Sequence, residues 1–423
     1  MSETIIPAAR PVTSFRSRSV TKRAIAGLVL AVSVHAVPAF AQKIVLTPLA
    51  EARLRAEHVE QAGLPDNSDA LTVRVRTGLS AKLDRWSALV EVQGTLAIGS
   101  DYYDGLNGPA TRPLIGDPQS IGLYRAQLQY KGKAVVATIG RQRISLDDDR
   151  FVDAALFRQN AQTYDAARFE WTGLPKLRVD LTYIWSVRTV WGIDGAAARP
   201  TSIPGDDVLG ELSYATPIGT LTGFGYLVSQ SDPAVQGYRL SSQTWGVRFA
   251  GTRVLRPKLK WNYKISYARQ ANWRRNPNDY AASFYLLDTN LELGKVKIGG
   301  GVEVAGASNG TALTSFQYPL GSGFRYRGWA GKLNPTPPDG LRDFYGSIGY
   351  ARPAWGAFKA VTLQAIYHRF DSDRLVRHYG DELDLLASGK LGRYTLSARF
   401  AGYDADLFAT RARKLWLQLD WAL

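Results

Sequence analysis

The 423-residue chain contains no cysteine, which excludes a disulfide framework, a thiol nucleophile and thiolate metal ligands. Lys and Arg number 52 against 37 Asp and Glu, a formal charge of +15, so the expected partners are anionic. The basic motifs of nucleic-acid-binding modules are missing, and an exported chain rarely meets nucleic acid, so it is set aside as a partner.

The amino terminus carries Lys22 and Arg23, the apolar run "AIAGLVLAVSVHAVPAF" and Ala39-Phe40-Ala41. That order predicts a signal peptide over 1–41 and a mature domain over 42–423, exported without a membrane-spanning helix. From there, apolar and polar residues alternate in short runs to the last residue. Clear cases are "ALTVRVRT" (70–77), "WSALVEVQGTL" (86–96), "YRAQLQY" (124–130), "KLRVDLTYIWSVR" (176–188), "KLKWNYKISYA" (258–268) and "KLWLQLDWAL" (414–423). With weaker members such as "EARLRAE" (51–57) and "ARFEW" (167–171), the pattern predicts about 18 strands and almost no helix.

Short links at "GLSAK" (78–82), "KGK" (131–133), "TGLPK" (172–176), "TPIG" (216–219), "GTRVL" (251–255), "LGK" (293–295) and "SGKLG" (388–392) alternate with longer connections. The longer ones fall at about 97–120, 142–163, 189–205, 270–280 and 306–340. This rhythm predicts an all-β fold, a single transmembrane antiparallel β-barrel of the bacterial outer membrane, with short periplasmic turns and long extracellular loops. Only closure satisfies every backbone N–H and C=O in lipid. Tyr183, Trp185, Trp245, Trp261, Tyr263, Tyr267 and Trp421 would populate the interfacial girdles. The alternate apolar residues Leu415 to Leu423 resemble the carboxy-terminal assembly signal of outer-membrane barrels, where the last residue is more often Phe.

Turning the apolar set to lipid sends Arg53, Arg55, Arg74, Arg76, Arg125, Arg168, Arg178, Arg188, Arg248, Lys260, Lys264 and Arg399 into the bore. Interior acids, among them Glu57, Glu91, Glu170, Asp180, Glu303 and Asp343, leave each arginine open to two roles: a cross-strand pair or a ligand contact. Collectively, an excess of cations in a low-dielectric wall selects anions, and the guanidinium fork suits carboxylates. In "GRQRISLDDDRFVDAALFRQNAQTYDAARFEW" (140–171), Arg141, Arg143, Arg150 and Arg158 alternate with Asp147, Asp148, Asp149 and Asp153. The expectation is a loop folded back into the bore as a constriction, the alternative a self-paired surface loop. The stretch 314–350, with Arg325, Arg327, Lys332 and many aromatics, is expected to be ordered. His58, His368 and His378 stand beside no serine motif or ligand cluster, so neither an enzyme nor a cofactor or metal is expected.

"GRQRISLDDDRFV…FRQNAQTYDA", "FQYPL…RGWAGKLNPTPPDGLRDFYGSIGY" and "ARLRAEHVEQAG…LTVRVRTG" resemble the most distinctive stretches of the alginate-export family of bacterial outer-membrane channels. The resemblance implies an 18-stranded barrel passing an anionic exopolysaccharide from periplasm to cell surface. By position it implies a conduit of Arg53, Arg55, Arg74, Arg76, Arg125, Arg141, Arg143 and Arg168, to which the lumen pattern adds Arg188 and Lys264. Asp147, Asp148 and Glu170 would lie near the constriction, with Arg325 and Arg327 on the second loop. After "GWA" this chain has Gly331-Lys332 where the family usually has an acid. Beyond the polysaccharide, the expected partners are outer-membrane lipid and lipopolysaccharide, and a periplasmic polymer-synthesis scaffold is a candidate. The barrel is expected to be a monomer, since its first and last strands can pair. The same bore also fits an uptake porin for small anions, sugar acids or oligosaccharides.

Overall fold

The computed structural model describes residues 43–99, 101–232 and 237–423; the expected signal peptide lies outside the described residues. In chain order the strands are β1 (Val45–Gln61), β2 (Ser68–Leu83), β3 (Trp86–Ala97), β4 (Ser120–Lys131), β5 (Val135–Gln142), β6 (Thr163–Trp171), β7 (Leu177–Arg188), β8 (Ser202–Thr216) and β9 (Gly219–Val228). They continue as β10 (Ser242–Arg256), β11 (Leu259–Asn272), β12 (Ala281–Leu293), β13 (Val296–Ala305), β14 (Leu341–Trp355), β15 (Phe358–Asp371), β16 (His378–Leu391), β17 (Tyr394–Ala405) and β18 (Ala412–Ala422). Every strand pairs antiparallel with its neighbours in sequence. The 18-stranded sheet closes where β1 meets β18, in register from Glu51 opposite Ala422 to Gln61 opposite Ala412. No edge is left, so the ladder satisfies the backbone of every strand within the barrel.

One end of the barrel carries tight turns and the other carries the long connections. The turns at 84–85 and 257–258 replace the expected links at 78–82 and 251–255, because β2 and β10 run on past them. Asp84 (φ 50°) and Lys258 (φ 66°) supply the left-handed residue that such a turn requires. The turns near 132–134, 172–176, 217–218 and 294–295 fall where the sequence puts them; β16 runs through most of the expected link at 388–392 to a turn at 392–393, and the turn at 356–357 was not marked in the sequence. Outside, the side chains of Leu181 (50% exposed), Tyr183 and Trp185 stand on the surface, while Asp180, Thr182 and Ile184 between them are buried inside. The alternation in that stretch therefore separates an apolar exterior from a polar interior.

The interior is filled along one wall. The connection 143–162 and the connection 306–340 both fold into the barrel and pair with each other through a parallel bridge between Val152 and Leu320. Ile144, Leu146, Phe316 and Leu320 pack with Phe224, Tyr226, Phe284 and Leu286 of β9 and β12. The Phe151 ring sits among Phe224, Phe284, Phe316 and Tyr318 at centroid separations of 5.1 to 5.8 Å. Burying apolar surface at about 25 cal/mol per Å² holds these loops in place without a covalent staple.

Candidate functional site

Charge on the inner wall is segregated. Arg53 and Arg55 of β1 and Arg74 and Arg76 of β2 crowd one side, with Arg53 directly opposite Arg74 in the register. Like charges so placed repel, and the structure offsets this with carboxylates. Glu51 accepts from Arg74 at 2.9 Å and from Arg76 at 2.7 Å, Asp420 accepts from Arg53 at 2.7 Å, and Glu91 accepts from Arg125 at 2.6 Å. Arg55, 1% exposed, donates to Asp117 at 3.2 Å and to Gln418 at 2.7 Å. Arg76 also lies 3.9 Å from the ring centroid of Tyr124. Four buried acids, Glu303, Asp343, Glu382 and Asp384, lie on the arc from β13 to β16.

The two inserted loops are tied to strands on several sides of the bore. Asp147 pairs with Arg248 at 2.9 Å and Asp148 with Lys264 at 2.7 Å, which fastens the connection 143–162 to β10 and β11. Burial and the adjacent Asp148 push the Asp147 carboxyl up to about 6, against the pull of Arg248 and Lys264. At Asp148 burial also opposes ionisation, but Arg150 and Lys264 outweigh it and hold this carboxyl well below the ordinary range. Arg150 reaches Glu303, which Arg327 approaches at 3.9 Å while lying over the Tyr318 ring. Arg325 is exposed and pairs with Asp149 at 3.4 Å. The backbone N–H groups of Trp329 and Ala330 donate to Asp384 and Glu382 at 3.1 and 2.6 Å, seating the connection 306–340 on the acidic wall. Lys332 donates to Gln61 at 2.6 Å, and burial depresses its ammonium to about 8.

Of the residues expected in the conduit, Arg53, Arg55, Arg74, Arg76, Arg125, Arg168 and Lys264 face the bore. Arg143 follows β5 at an exposed position and makes no salt bridge among the described residues; its charge acts on Glu51. Arg141 and Arg188 do not face the bore. Both bind Asp165, at 2.7 and 2.9 Å, and Arg141 follows Ile139 on the outer side of β5. A bulge between Ile184 and Ser186 reverses the alternation in β7, so that Val187 points in and Arg188 out. Glu170 is not at the constriction either: it sits one residue before the end of β6, paired with Arg178 at 2.7 Å near a tight turn. The sequence reading missed Glu51 and Asp117, whose long-range partners leave no local pattern.

The inserted loops leave a passage beside β1, β17 and β18. On the side of the tight turns a cavity of about 390 Å³ is lined by Arg53, Arg55, Arg399, Gln364, Gln418 and Arg325. On the side of the long connections a cavity of about 310 Å³ is lined by Arg158, Lys332, Lys414 and Glu57. Among the described residues Arg158, Arg399 and Lys414, which line these cavities, have no salt-bridge partner, so the passage carries cations that no carboxylate holds within salt-bridge distance.

Residues 50–208 match the model of the family described as "Alginate export", consistent with a member of that family. No curated protein matches significantly. Among solved structures, OccAB4 of Acinetobacter baumannii is similar at a TM-score of 0.65 and 14% identity, over 89% of this chain and 98% of that one. OpdL of Pseudomonas aeruginosa gives 0.62 and 14%, over 89% and 98%. The outer membrane protein OpdK of Pseudomonas aeruginosa gives 0.64 and 10%, again over 89% and 98%. At such identities the likeness establishes the fold. Taken with the family match, it places the chain among bacterial outer-membrane β-barrel channels.

Proposed function

We propose that this barrel is an outer-membrane conduit for an anionic exopolysaccharide of the polyuronate kind, carried from periplasm to cell surface. The observation that carries the proposal is the group Arg158, Arg399 and Lys414, cations without a salt bridge among the described residues, beside the passage along β1, β17 and β18. Arg53, Arg55, Arg74, Arg76 and Arg125 add charge along the same wall, already paired with acids that a carboxylate ligand can displace. Arg168 and Lys264 line the bore further round. Weak, repeated polar contacts suit a flexible chain that must keep moving. In this reading the tight turns are periplasmic, the long connections reach the cell surface, and the apolar exterior meets lipid and lipopolysaccharide. Asp147, Asp148, Arg325 and Arg327 hold the constriction, and a periplasmic polymer-synthesis scaffold would deliver the chain to a monomeric barrel.

The narrowness of the two cavities favours a second reading, an uptake porin for small anions or sugar acids. A planar-bilayer recording distinguishes the two. The conduit predicts anion selectivity and block by acidic polyuronates, weakened in Arg53→Ala and Arg74→Ala. Weak selectivity with block by small or neutral sugars transfers the assignment to the porin.

A further inference from the structure

The two cavities are divided by aromatic rings. Phe157 of one inserted loop and Phe324 of the other stack with their planes 10° apart, and Trp416 of β18 stands edge-on to both. Trp329 lies parallel to Phe324, 17° between planes. Phe157, Phe324, Trp329 and Trp416 border the cavity towards the long connections, and all but Trp416 also border the one towards the tight turns. Cations hug this partition: Arg55 lies 4.3 Å and Arg399 5.3 Å from the Phe157 ring centroid, and Arg399 lies 5.9 Å from that of Trp329.

A path built only to attract charge has no use for stacked apolar rings at its narrowest point, since a bare polyion must shed water to pass them. A pyranose ring has what the partition offers a surface for: a face of C–H groups that can lie on an aromatic plane, and a polar edge that stays in reach of the cations. The two rings are also held differently. The carbonyl of Phe157 accepts from Arg53 and Arg55, which fixes that segment to β1. Phe324 lies between Gly323 (φ 70°) and the exposed Arg325, in a segment pinned on one side by Ser322 to Asp153 and on the other by Tyr326 to the Asp148 carbonyl and Arg325 to Asp149. Among the described residues no side chain binds the Phe324 backbone, so Phe324 is the less firmly held of the two rings.

We infer that Phe157, Phe324 and Trp329 form a saccharide-stacking subsite, in which a sugar ring replaces Phe324 against Phe157 while Arg53 and Arg399 on one side and Arg158 and Lys414 on the other take the carboxylates of successive residues. This rests on the conduit reading and adds to it the place where the sugar rings themselves, and not only their carboxylates, are held.

Saturation-transfer NMR on the full barrel in deuterated detergent, which reads millimolar binding, tests it with three tetramers: galacturonate, aspartate of equal charge, and neutral cellotetraose. Phe157→Leu is expected to weaken galacturonate binding roughly five- to tenfold, the effect of one lost aromatic contact, and to leave tetra-aspartate unchanged. Arg399→Gln is expected to weaken both acidic tetramers alike. Equal loss of both in Phe157→Leu, or no loss of either, overturns the stacking subsite and leaves the conduit standing. Failure of both acidic tetramers to bind the wild-type barrel overturns the conduit and the subsite together.

Discussion

Asp147 stands where one proton changes the charge of the bore. Its folded-state value near 6 lies above the ordinary carboxylate value, so the fold favours the neutral acid. The stability this gives is complete below about 4 and is lost as pH rises through about 6. The ion pair with Arg248 runs the other way and exists only above that range. Lowering pH through 6 therefore releases Arg248 and adds one net positive charge to the bore. Anion selectivity, read from reversal potentials in a salt gradient, is expected to rise across this interval, and to rise less in Asp147→Asn. Residue placement makes a second contrast. Arg53→Ala is expected to lower anion over cation permeability by roughly twofold, whereas Arg188→Ala leaves it unchanged, because Arg188 is spent on Asp165 outside the bore.

At the scale of the element, the connection 306–340 depends on close approach of backbone to the acidic wall. Gly328 has φ 80°, and a Cβ there would fall 2.4 Å from Glu382. Gly328→Val is expected to unseat Trp329 and Ala330 from Asp384 and Glu382, raising single-channel conductance and opening the loop to limited proteolysis while the barrel stays folded. The strand pattern made the 18 elements legible, since side chains of period two must show one face to each environment. The alternating charges of 140–171 pointed to a loop folded into the bore, with a surface loop as the alternative, and the aromatics of 314–350 to an ordered loop without placing it there. What alternation cannot register is an inserted residue. The bulge in β7 leaves the hydropathy of Trp185 to Arg188 unremarkable yet exchanges their faces. Pairs such as Arg55 with Asp117 or Lys264 with Asp148 join segments far apart in sequence, and only the closed fold brings them together.

For the whole molecule, the exterior is set by its solvent. Leu181, half exposed in mid-strand, is expected to tolerate Ile or Phe, whereas Leu181→Arg should cost about 2–4 kcal/mol of folding free energy in a bilayer if it lies near the midplane. Denaturant-induced unfolding from lipid vesicles measures this. The interior is lopsided rather than ring-like: the main packing of rings and loops is on the side of β9 to β13, and the cations without a salt bridge lie beside β1, β17 and β18. A ligand held by those cations would ride off-axis, and the water and counter-ions around it would keep their own lane. An occupied channel is then expected to show a residual current above the closed level, so that each captured chain registers in a single-channel trace as a partial step whose dwell time lengthens with the number of carboxylates it carries.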